Sequence, residues 1–490
     1  MRYCRVFSRQ PLGKMTVRLP YVRTCFSALL HRTYSTKVAR LDKGFIQVQG
    51  PDSTEFLNGL ITTMLLPTFT KKNQHTITNK DLQLEGILAK QIQLTPEEIK
   101  ETNWGILHED SYLSDEDPMK LGIRRDGLYT LFLNSRGRVF SDAFIYPTPL
   151  IMEDSDTSEP SYLVEVDHKI TNQLFMMMNM HKLTAKIKLT KPELKSWYIY
   201  SEKEIFENYI YKIQNTFFNN ATSTDPETAN ISMQEFIRSR ALLDSYSDDV
   251  KGFAIDNRSP YFGLKLVTGT ALELSQLSPL RNLDEIHMAS NSSEYKLRRI
   301  INGIVEPADL DMEHSVLPFE LNVDFTNGIS FEKGCYVGQE LTTRTYTTGI
   351  IRKRIMPIKL YDLTTIDKES LKDTISIEGD NFEPLLKSCR DIKIINENES
   401  EAEQPQEETP FATSPFGNSP TKRASKRKRS EVGKLLHMEK NIGLALVNLK
   451  HITPDNSIGH NEFILDTKVD GKTIGVKVFI PDWWPEDAFE

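Results

Sequence analysis

GISFEKGCYVGQE, residues 328–340, is the most informative stretch of the sequence. Its cysteine, Cys335, lies between Gly334 and Gly338, and glycine permits left-handed backbone and the close approach of another body. Lys333 precedes the cysteine by two residues, and a cation near a thiol favours the thiolate, which binds metals or attacks electrophiles. The stretch therefore predicts a tight loop around a candidate functional thiol.

The end of this stretch predicts a helix that begins near Gly338 and carries Gln339 and Glu340 in its first turn. An isolated cysteine in an apolar setting, here beside Tyr336, is more often a small buried core residue than a functional one. The residues alone therefore leave two interpretations of Cys335 open, a core residue or a metal ligand or nucleophile.

Upstream, the pattern predicts a strand at residues 44–48, followed by a glycine–proline break and a helix. Asp52 with Glu55 three residues later is typical of a capping box. Apolar residues at 56–64 recur on one helical face.

The next segments alternate between strand and helix patterns. A β-hairpin is predicted at 129–146 around an Asn-Ser-Arg-Gly turn. A strand at 162–166, a helix at 169–181 and a strand at 183–189 follow. The methionine run 176–178 of this helix is interpreted as core filling rather than as an adaptable binding face.

The C-terminal third predicts a small closed β-domain after a short helix at 294–302, because strand patterns with Pro and Gly breaks dominate beyond residue 345. Residues 395–430 interrupt it with an acidic run, a Ser/Pro/Thr-rich run and a basic cluster at 422–429. This composition cannot bury a core, so a disordered insertion is predicted. The basic cluster is typical of a nuclear localisation signal or a nucleic-acid tail, but a solvated charged loop is the favoured interpretation.

The N-terminus is rich in arginine and free of acids until Asp42. Seven arginines and two lysines fall within residues 1–40, among Ser, Thr and scattered apolar residues. This pattern predicts a mitochondrial transit peptide over residues 1–34, with cleavage after Tyr34.

Composition excludes several classes of protein. No stretch approaches the roughly 18 consecutive apolar residues that a membrane helix needs, so no membrane partner is expected. Loss of residues 1–34, which carry six Arg and one Lys, takes the net charge from −8 to −15. An acidic mature chain disfavours non-specific binding of nucleic acid, so no nucleic acid is expected.

The cysteine count limits the metal chemistry. Only Cys335 and Cys389 remain after the predicted cleavage, and no CxxC pair exists. An iron–sulfur cluster usually takes four thiolates. The chain is therefore expected to hold a cluster only by sharing ligands with a partner or with small thiols.

The Cys335 stretch resembles the signature of the YgfZ family, relatives of the glycine-cleavage T-protein. That signature is Lys-Gly-Cys, an aromatic residue, any residue, then Gly-Gln-Glu. Lys333, Gly334, Tyr336, Gly338, Gln339 and Glu340 match it around the thiol. Further segments match in family order: Leu41–Leu60, Leu133–Arg138, Arg299–Ile304, Leu317–Asn322 and Arg344–Gly349.

The resemblance implies an α+β fold, with a T-protein-like folate-binding core of ferredoxin-like units and a C-terminal β-barrel. On this basis the core is expected at 35–345. The barrel domain is expected at 346–490, interrupted by the insertion.

The resemblance also implies a role. With the leader, the chain is similar to the mitochondrial matrix branch, which works with A-type iron–sulfur scaffold proteins. Its clients are [4Fe–4S] enzymes such as aconitase and the radical-SAM enzyme lipoate synthase. Cys335 would then be a ligand or sulfur donor to a cluster held transiently with a partner. A non-catalytic assembly factor is favoured over a transferase.

One departure from the family bears on catalysis. T-proteins carry two adjacent acids at the end of the second hairpin strand, one of them catalytic, but here the pair is Ser141-Asp142. Asp142 is expected either beside a tetrahydrofolate cleft or as a surface carboxylate at a strand end. Glu320 is expected to meet a pterin edge, since a carboxylate accepts two N–H donors, or to be a capping or surface acid.

Three functions follow from the sequence. The first is an assembly factor that uses Cys335, and the second is a folate-dependent one-carbon or aminomethyl transferase. The third is a nucleic-acid-associated protein that uses residues 422–429. The cysteine motif favours the first, the broken acid pair weakens the second, and the acidic charge weakens the third.

Overall fold

A computed structural model describes residues 35–65, 103, 105–108, 122–152, 159–218, 226–244, 249–270, 272–289, 292–310, 315–331, 333–363, 382–384, 390–393, 431–454, 456, 460–469, 472–485 and 488–489. The predicted transit peptide, Cys389 and the predicted insertion at 395–430 lie outside these residues. The chain divides after Ile355 into two compact units, the second being Met356–Ile480, and Pro481–Glu490 returns to the first.

The first unit contains two five-stranded sheets. In the first sheet the order is β10-β11-β9-β1-β12, with all pairs antiparallel except β1 with β12. Its strands are β1 (Thr36–Leu41), β9 (Lys195–Tyr200), β10 (Val250–Asp256), β11 (Gly263–Thr268) and β12 (Ile286–Met288).

The second sheet is antiparallel throughout, in the order β5-β6-β7-β2-β8. Its strands are β2 (Lys43–Gln49), β5 (Leu128–Leu133), β6 (Val139–Pro147), β7 (Ser161–Asp167) and β8 (Lys188–Thr190). A separate two-stranded sheet joins β3 (Ile106–His108) to β4 (Gly122–Arg124).

Seven α-helices are described in the first unit. They are α1 (Ser53–Asn58), α2 (Thr171–Lys182), α3 (Glu204–Ile213), α4 (Pro226–Arg238), α5 (Ser278–Arg281), α6 (Ser292–Ile301) and α7 (Gln339–Thr348). Among the described residues, no helix is long and apolar enough to cross a bilayer.

Each five-stranded sheet buries one face against helices. The opposite faces of the two sheets are turned toward each other. On β7, Val164 and Val166 pack with α1 and α2, whereas Glu165 points the other way. On β11, Leu264 and Leu266 pack with α3 and α4, and the intervening Lys265 contacts Glu165. The period-two alternation of strands therefore places charged residues between the sheets.

The second unit is a closed six-stranded β-barrel in the order β13-β16-β15-β14-β17-β18. Its strands are β13 (Lys353–Asp362), β14 (Asp391–Lys393), β15 (Glu431–Glu439), β16 (Ile442–Asn448), β17 (Glu462–Val469) and β18 (Lys472–Val478). The predicted fold class, an α+β core followed by a β-barrel, is confirmed.

Several sequence predictions of individual elements hold and others are wrong. The hairpin, α2, α6 and the helix start at Gly338 form as predicted. However, α1 ends at Asn58, and although Asp52 occupies its N-cap position, the Asp52 side chain forms no capping hydrogen bond. Instead, an Asp52 carboxylate oxygen accepts the backbone N–H of Lys186 at 2.8 Å. The strand predicted at 183–189 forms only at Lys188 and Leu189, the first two residues of β8, and Leu183 adopts a positive φ of 41°.

Close packing between the sheets makes Gly127 sensitive to substitution. A Cβ there would lie 2.5 Å from the Tyr146 ring and 3.1 Å from Ala254. We expect Gly127→Ala to lower the free energy of unfolding by about 1–3 kcal/mol, since overpacking forces neighbours to shift. Urea denaturation measures this change.

Gly59→Ala is the matched control. Its Cβ would meet nothing closer than 3.5 Å, and its φ of −72° suits any residue. We expect a change within about 0.5 kcal/mol. Equal stability of Gly127→Ala and the wild type would contradict the close approach of the two sheets.

Candidate functional site

Cys335 is an exposed thiol of the first unit. It lies in the loop between the 3-10 helix Pro318–Leu321 and α7. The next residue, Tyr336, is only 8% exposed and packs in a core with Tyr129 and Leu133. The interpretation of Cys335 as a core residue is therefore wrong, because the aromatic neighbour fills the interior instead.

Lys333 anchors this loop to a distant segment of the chain. Its ammonium donates to the carbonyl oxygens of Asn58, Ile61 and Thr63 at 2.8, 2.5 and 2.9 Å. It also lies 4.7 Å from the centroid of the Tyr336 ring. The sequence predicts a cation that favours the thiolate, whereas the observed contacts of this cation fix the backbone that carries the thiol.

Gly338 allows the loop to meet the hairpin tip at van der Waals distance. It has a φ of +80°, and a Cβ there would lie 2.5 Å from the carbonyl oxygen of Asn134. Gly137, with a φ of +73°, faces it from the hairpin turn. The predicted close approach at this glycine is confirmed, and the approaching body is the chain's own β5–β6 turn.

The surface around the thiol combines aromatic rings with a shallow depression. Phe331 and Tyr346 stack with centroids 3.9 Å apart, and about two-fifths of each side chain is exposed. The depression has a volume of about 540 Å³. It is lined by Ser135, Tyr336, Gly338, Gln339, Glu340 and Thr343.

Among the described residues of this loop, Cys335 is the candidate metal ligand. Within the described part of the chain, no group of three His, Cys, Asp or Glu side chains could hold a metal ion. Glu340, the acid of the matched signature, forms an ion pair with Arg344 at 2.9 Å on the exposed face of α7. The arrangement therefore presents a single thiol, held on a fixed backbone, to the outside.

Glu320 lies at the start of the 3-10 helix Pro318–Leu321. Its Oε2 accepts the backbone N–H of Leu317 at 2.8 Å, as a capping acid does. Burial raises the pKa of its carboxyl. The contact supports the capping interpretation, and contact with a pterin stays a prediction.

A second group of functional candidates is buried between the sheets. Six charged residues form what we call the ionic cluster: Lys43, Asp142, Asp256, Arg258, Arg299 and Glu306. Arg258 binds Asp256 at 2.7 Å and Glu306 at 3.0 Å. Lys43 binds the other oxygen of Glu306 at 2.9 Å.

Glu306 is the most strongly paired acid of the ionic cluster. Burial alone would raise its pKa, but the positive charges of Arg299, Lys43 and Arg258 hold the pKa well below its usual range. Its neighbours therefore favour the charged form of Glu306.

Asp142 is different, because its charge has no direct partner. It is 5% exposed in the middle of β6, and no hydrogen bond to its carboxylate occurs among the described residues. Burial and the negative charge of Glu306 raise its pKa to about 6. The interpretation of Asp142 as a surface carboxylate at a strand end is therefore wrong.

The sequence did not single out the charged neighbours of Asp142. Lys43 begins β2, Asp256 ends β10 and Glu306 lies in a loop, so no motif joins them. The one available signal is a charge at an interior position of an apolar strand, as at Lys265 in Gly-Leu-Lys-Leu-Val.

The fold and site define an α+β protein with a closed C-terminal β-barrel and one exposed motif cysteine. Residues 352–486 match the family described as CAF17, C-terminal beta-barrel domain. The "Iron-sulfur cluster assembly factor IBA57 homolog, mitochondrial" of Scheffersomyces stipitis is 36% identical over 479 residues, covering 92% of this chain and 98% of that protein. The chain belongs to this family of mitochondrial IBA57 proteins.

Other known proteins are similar over comparable lengths. The Candida albicans homolog of the same name is 36% identical over 476 residues, covering 91% and 98% of the two chains. The Saccharomyces cerevisiae protein is 29% identical over 463 residues, covering 91% and 88%. Since these relatives are named mitochondrial, the predicted mitochondrial location is confirmed.

A solved structure, glycine cleavage system aminomethyltransferase T from Bartonella henselae, is similar with a TM-score of 0.46 and 10% identity. The match covers 93% of this chain and 88% of that one.

The raised pKa of Asp142 links stability to pH. Between about pH 4 and pH 6 the folded protein keeps a proton that the unfolded chain has released. The free energy of unfolding therefore falls as the pH rises through this window. We expect Asp142→Asn to remove the loss and to stabilise the protein at pH 7.5 by on the order of 2 kcal/mol, with little effect near pH 4. Urea denaturation across this pH range measures the change.

Asp256→Asn is a control of opposite sign. Burial alone would raise the pKa of Asp256, but the positive charge of Arg258 holds it below its usual value. Loss of the Asp256 charge should therefore destabilise the protein at pH 7.5. A destabilised Asp142→Asn variant at pH 7.5 would show that the Asp142 charge is compensated after all.

Proposed function

We propose that this protein acts in the maturation of [4Fe–4S] proteins in the mitochondrial matrix. Cys335 supplies the one thiolate that this chain gives to a cluster shared with a partner. The observation that carries the proposal is the exposure of the Cys335 thiol on a loop whose neighbours, Lys333 and Tyr336, are turned inward and fixed. Such a loop presents the thiol without rearrangement.

The ligand count supports a shared cluster. A standard iron–sulfur cluster takes four thiolates. The described residues contain one exposed thiol and no group of three His, Cys, Asp or Glu that could hold a metal, so this chain supplies one thiolate to such a cluster. The names of the relatives, iron–sulfur cluster assembly factors, agree with a cluster in transit rather than a resident one.

The surface beside the thiol supports contact with a protein partner. Phe331, on the loop that carries Cys335, and Tyr346, on the helix α7 that follows it, form a stacked and partly exposed aromatic pair. Aromatic residues are enriched in the centres of protein interfaces. We infer that A-type iron–sulfur scaffold proteins dock here, and that aconitase and lipoate synthase are among the clients.

Cys335→Ser tests the role of the thiol. Because the side chain is exposed, we expect the free energy of unfolding to change by less than about 0.5 kcal/mol. In mitochondria whose only copy carries this variant, we expect aconitase activity to fall to the level seen without the protein. A [2Fe–2S] enzyme measured in the same mitochondria should keep its activity.

Cys389→Ser is the matched control, since it removes the other cysteine of the predicted mature chain, and we expect normal aconitase activity. Normal aconitase in the Cys335→Ser mitochondria would remove the ligand role. Loss of activity with Cys389→Ser would mean that two thiols cooperate.

A second candidate, a tetrahydrofolate-dependent one-carbon or aminomethyl transferase, is favoured by one observation. Asp142 is a buried carboxyl with no hydrogen-bond partner among the described residues and a pKa of about 6. Its carboxylate oxygens are therefore available to accept the N–H groups of a ligand, as charge-assisted hydrogen bonds. In this proposal Asp142 holds the N–H groups of a reduced pterin, and Lys43, Arg258 and Arg299 keep the surrounding charge balanced.

Calorimetric titration with tetrahydrofolate under anaerobic conditions tests this candidate. We expect Asp142→Asn to weaken binding by about tenfold, the effect of one lost charge-assisted hydrogen bond. Cys335→Ser should bind as the wild type does, because the thiol lies at the surface. Absence of binding to the wild-type protein would exclude the folate role and leave the cluster role untouched.

A further inference from the structure

Helix α2 has an unpartnered apolar stripe on its outer face. Met176 and Met180 are 66% and 70% exposed, and their spacing of four residues places them on one side of the helix. Leu183, the residue that follows the last turn of α2, is 88% exposed. The opposite side, with Leu174 and Met178, is completely buried against the second sheet. The methionine run is therefore only partly core filling, because Met176 faces outward.

The segment that contains α2 carries a concentrated positive charge. Residues 168–191 include five lysines and no Asp or Glu, in a chain whose net charge is −8. The lysines are Lys169, Lys182, Lys186, Lys188 and Lys191. In the described part of the chain none of them forms an ion pair, and all except Lys182 are exposed.

These lysines flank the exposed apolar residues in the sequence. Lys169 precedes α2 and Lys186 follows it. Lys191 donates to Asn172 at 2.9 Å and lies 5.1 Å from the Phe175 ring centroid, so the strand β8 end returns to the helix. The surface formed by residues 168–191, here called the α2 face, therefore combines exposed apolar side chains with exposed lysines. The carboxylates of Asp167 and Asp52 lie beside it and accept the backbone N–H groups of Lys169 and Lys186 at 2.9 and 2.8 Å.

We infer that the α2 face binds the surface of a membrane that contains anionic phospholipid. Each lysine near an anionic bilayer contributes attraction, and exposed apolar side chains enter the boundary between headgroups and acyl chains. Because charge acts over about 10 Å at ordinary ionic strength, this local charge outweighs the acidic average of the chain. The lysine stems can lie along the apolar boundary while their ammonium groups stay in water.

Composition favours a membrane over a protein as the occupant. Protein interfaces are enriched in aromatic residues and arginine and depleted of lysine. The α2 face has five lysines, no arginine and no exposed aromatic residue. A second copy of the chain is disfavoured as well, since two such faces repel each other.

The inference is independent of the proposed role of Cys335. The sequence expectation of no membrane partner is based on the lack of a spanning segment. Adsorption to a bilayer surface needs no such segment.

Vesicle co-sedimentation of the mature full-length protein tests the inference. The probes are vesicles of phosphatidylcholine alone and of phosphatidylcholine with added cardiolipin. We expect binding only to the second kind, weakened by salt. The charge variant Lys169→Glu with Lys186→Glu, and separately the apolar variant Met176→Ser with Met180→Ser, should each weaken the partition at least about tenfold.

Two variants elsewhere provide matched controls. Lys212→Glu with Lys434→Glu changes the same charge at exposed positions, and Ile231→Ser removes a partly exposed apolar side chain of α4. We expect both to bind as the wild type does, and circular dichroism to show that all variants are folded.

Three outcomes would overturn the inference. One is no binding to cardiolipin vesicles at low salt, and another is equal weakening by the control variants. The third is binding to polyglutamate that is as tight as vesicle binding and insensitive to Met176→Ser with Met180→Ser, since that would assign the α2 face to an acidic protein.

Discussion

The two five-stranded sheets meet through paired charges, and this constraint orders the first unit. Glu165 of one sheet accepts hydrogen bonds from Lys265 and Ser196 of the other at 2.9 and 2.7 Å. A buried charge is strongly destabilising when its partner is absent, so the contact between Glu165 and Lys265 fixes how the two sheets stack. Two purely aliphatic sheet faces could slide past each other. The ion pair resists such a shift of the two sheets, and it therefore determines where Asp142 and its neighbours lie.

The fold was largely predictable where local pattern and tertiary packing agree. The β5–β6 hairpin and α2 follow from alternation and helical periodicity, and both formed. The predictions failed where a distant contact prevails over the local signal. Asp52 has the sequence of an N-cap, but the N–H of Lys186, more than a hundred residues away, takes its carboxylate. Leu183 ends α2 with a positive φ, a backbone conformation that a leucine at this position does not predict.

The candidate sites differ in the same way. The importance of the Cys335 loop was visible in the sequence, because its residues are consecutive. The anchoring role of Lys333 was not visible in the sequence, because the carbonyl oxygens that it binds lie near residue 60. Asp142 was noticed for a missing neighbour, yet its raised pKa depends on Glu306, which no spacing rule connects to it. A surface loop can be found from a motif, whereas a buried ionic cluster needs the topology.

The contact between Gly137 and Gly338 has a consequence for the β5–β6 turn. Hairpin tips are usually where a chain tolerates insertions and altered lengths. Here the backbone of the tip is in direct contact with the start of α7, and Ser135 lines the depression beside the thiol. The length of the β5–β6 turn therefore helps to determine the shape of the site. A longer turn would change the shape of the surface that a partner of Cys335 meets, even though it would leave every residue of the cysteine motif in place.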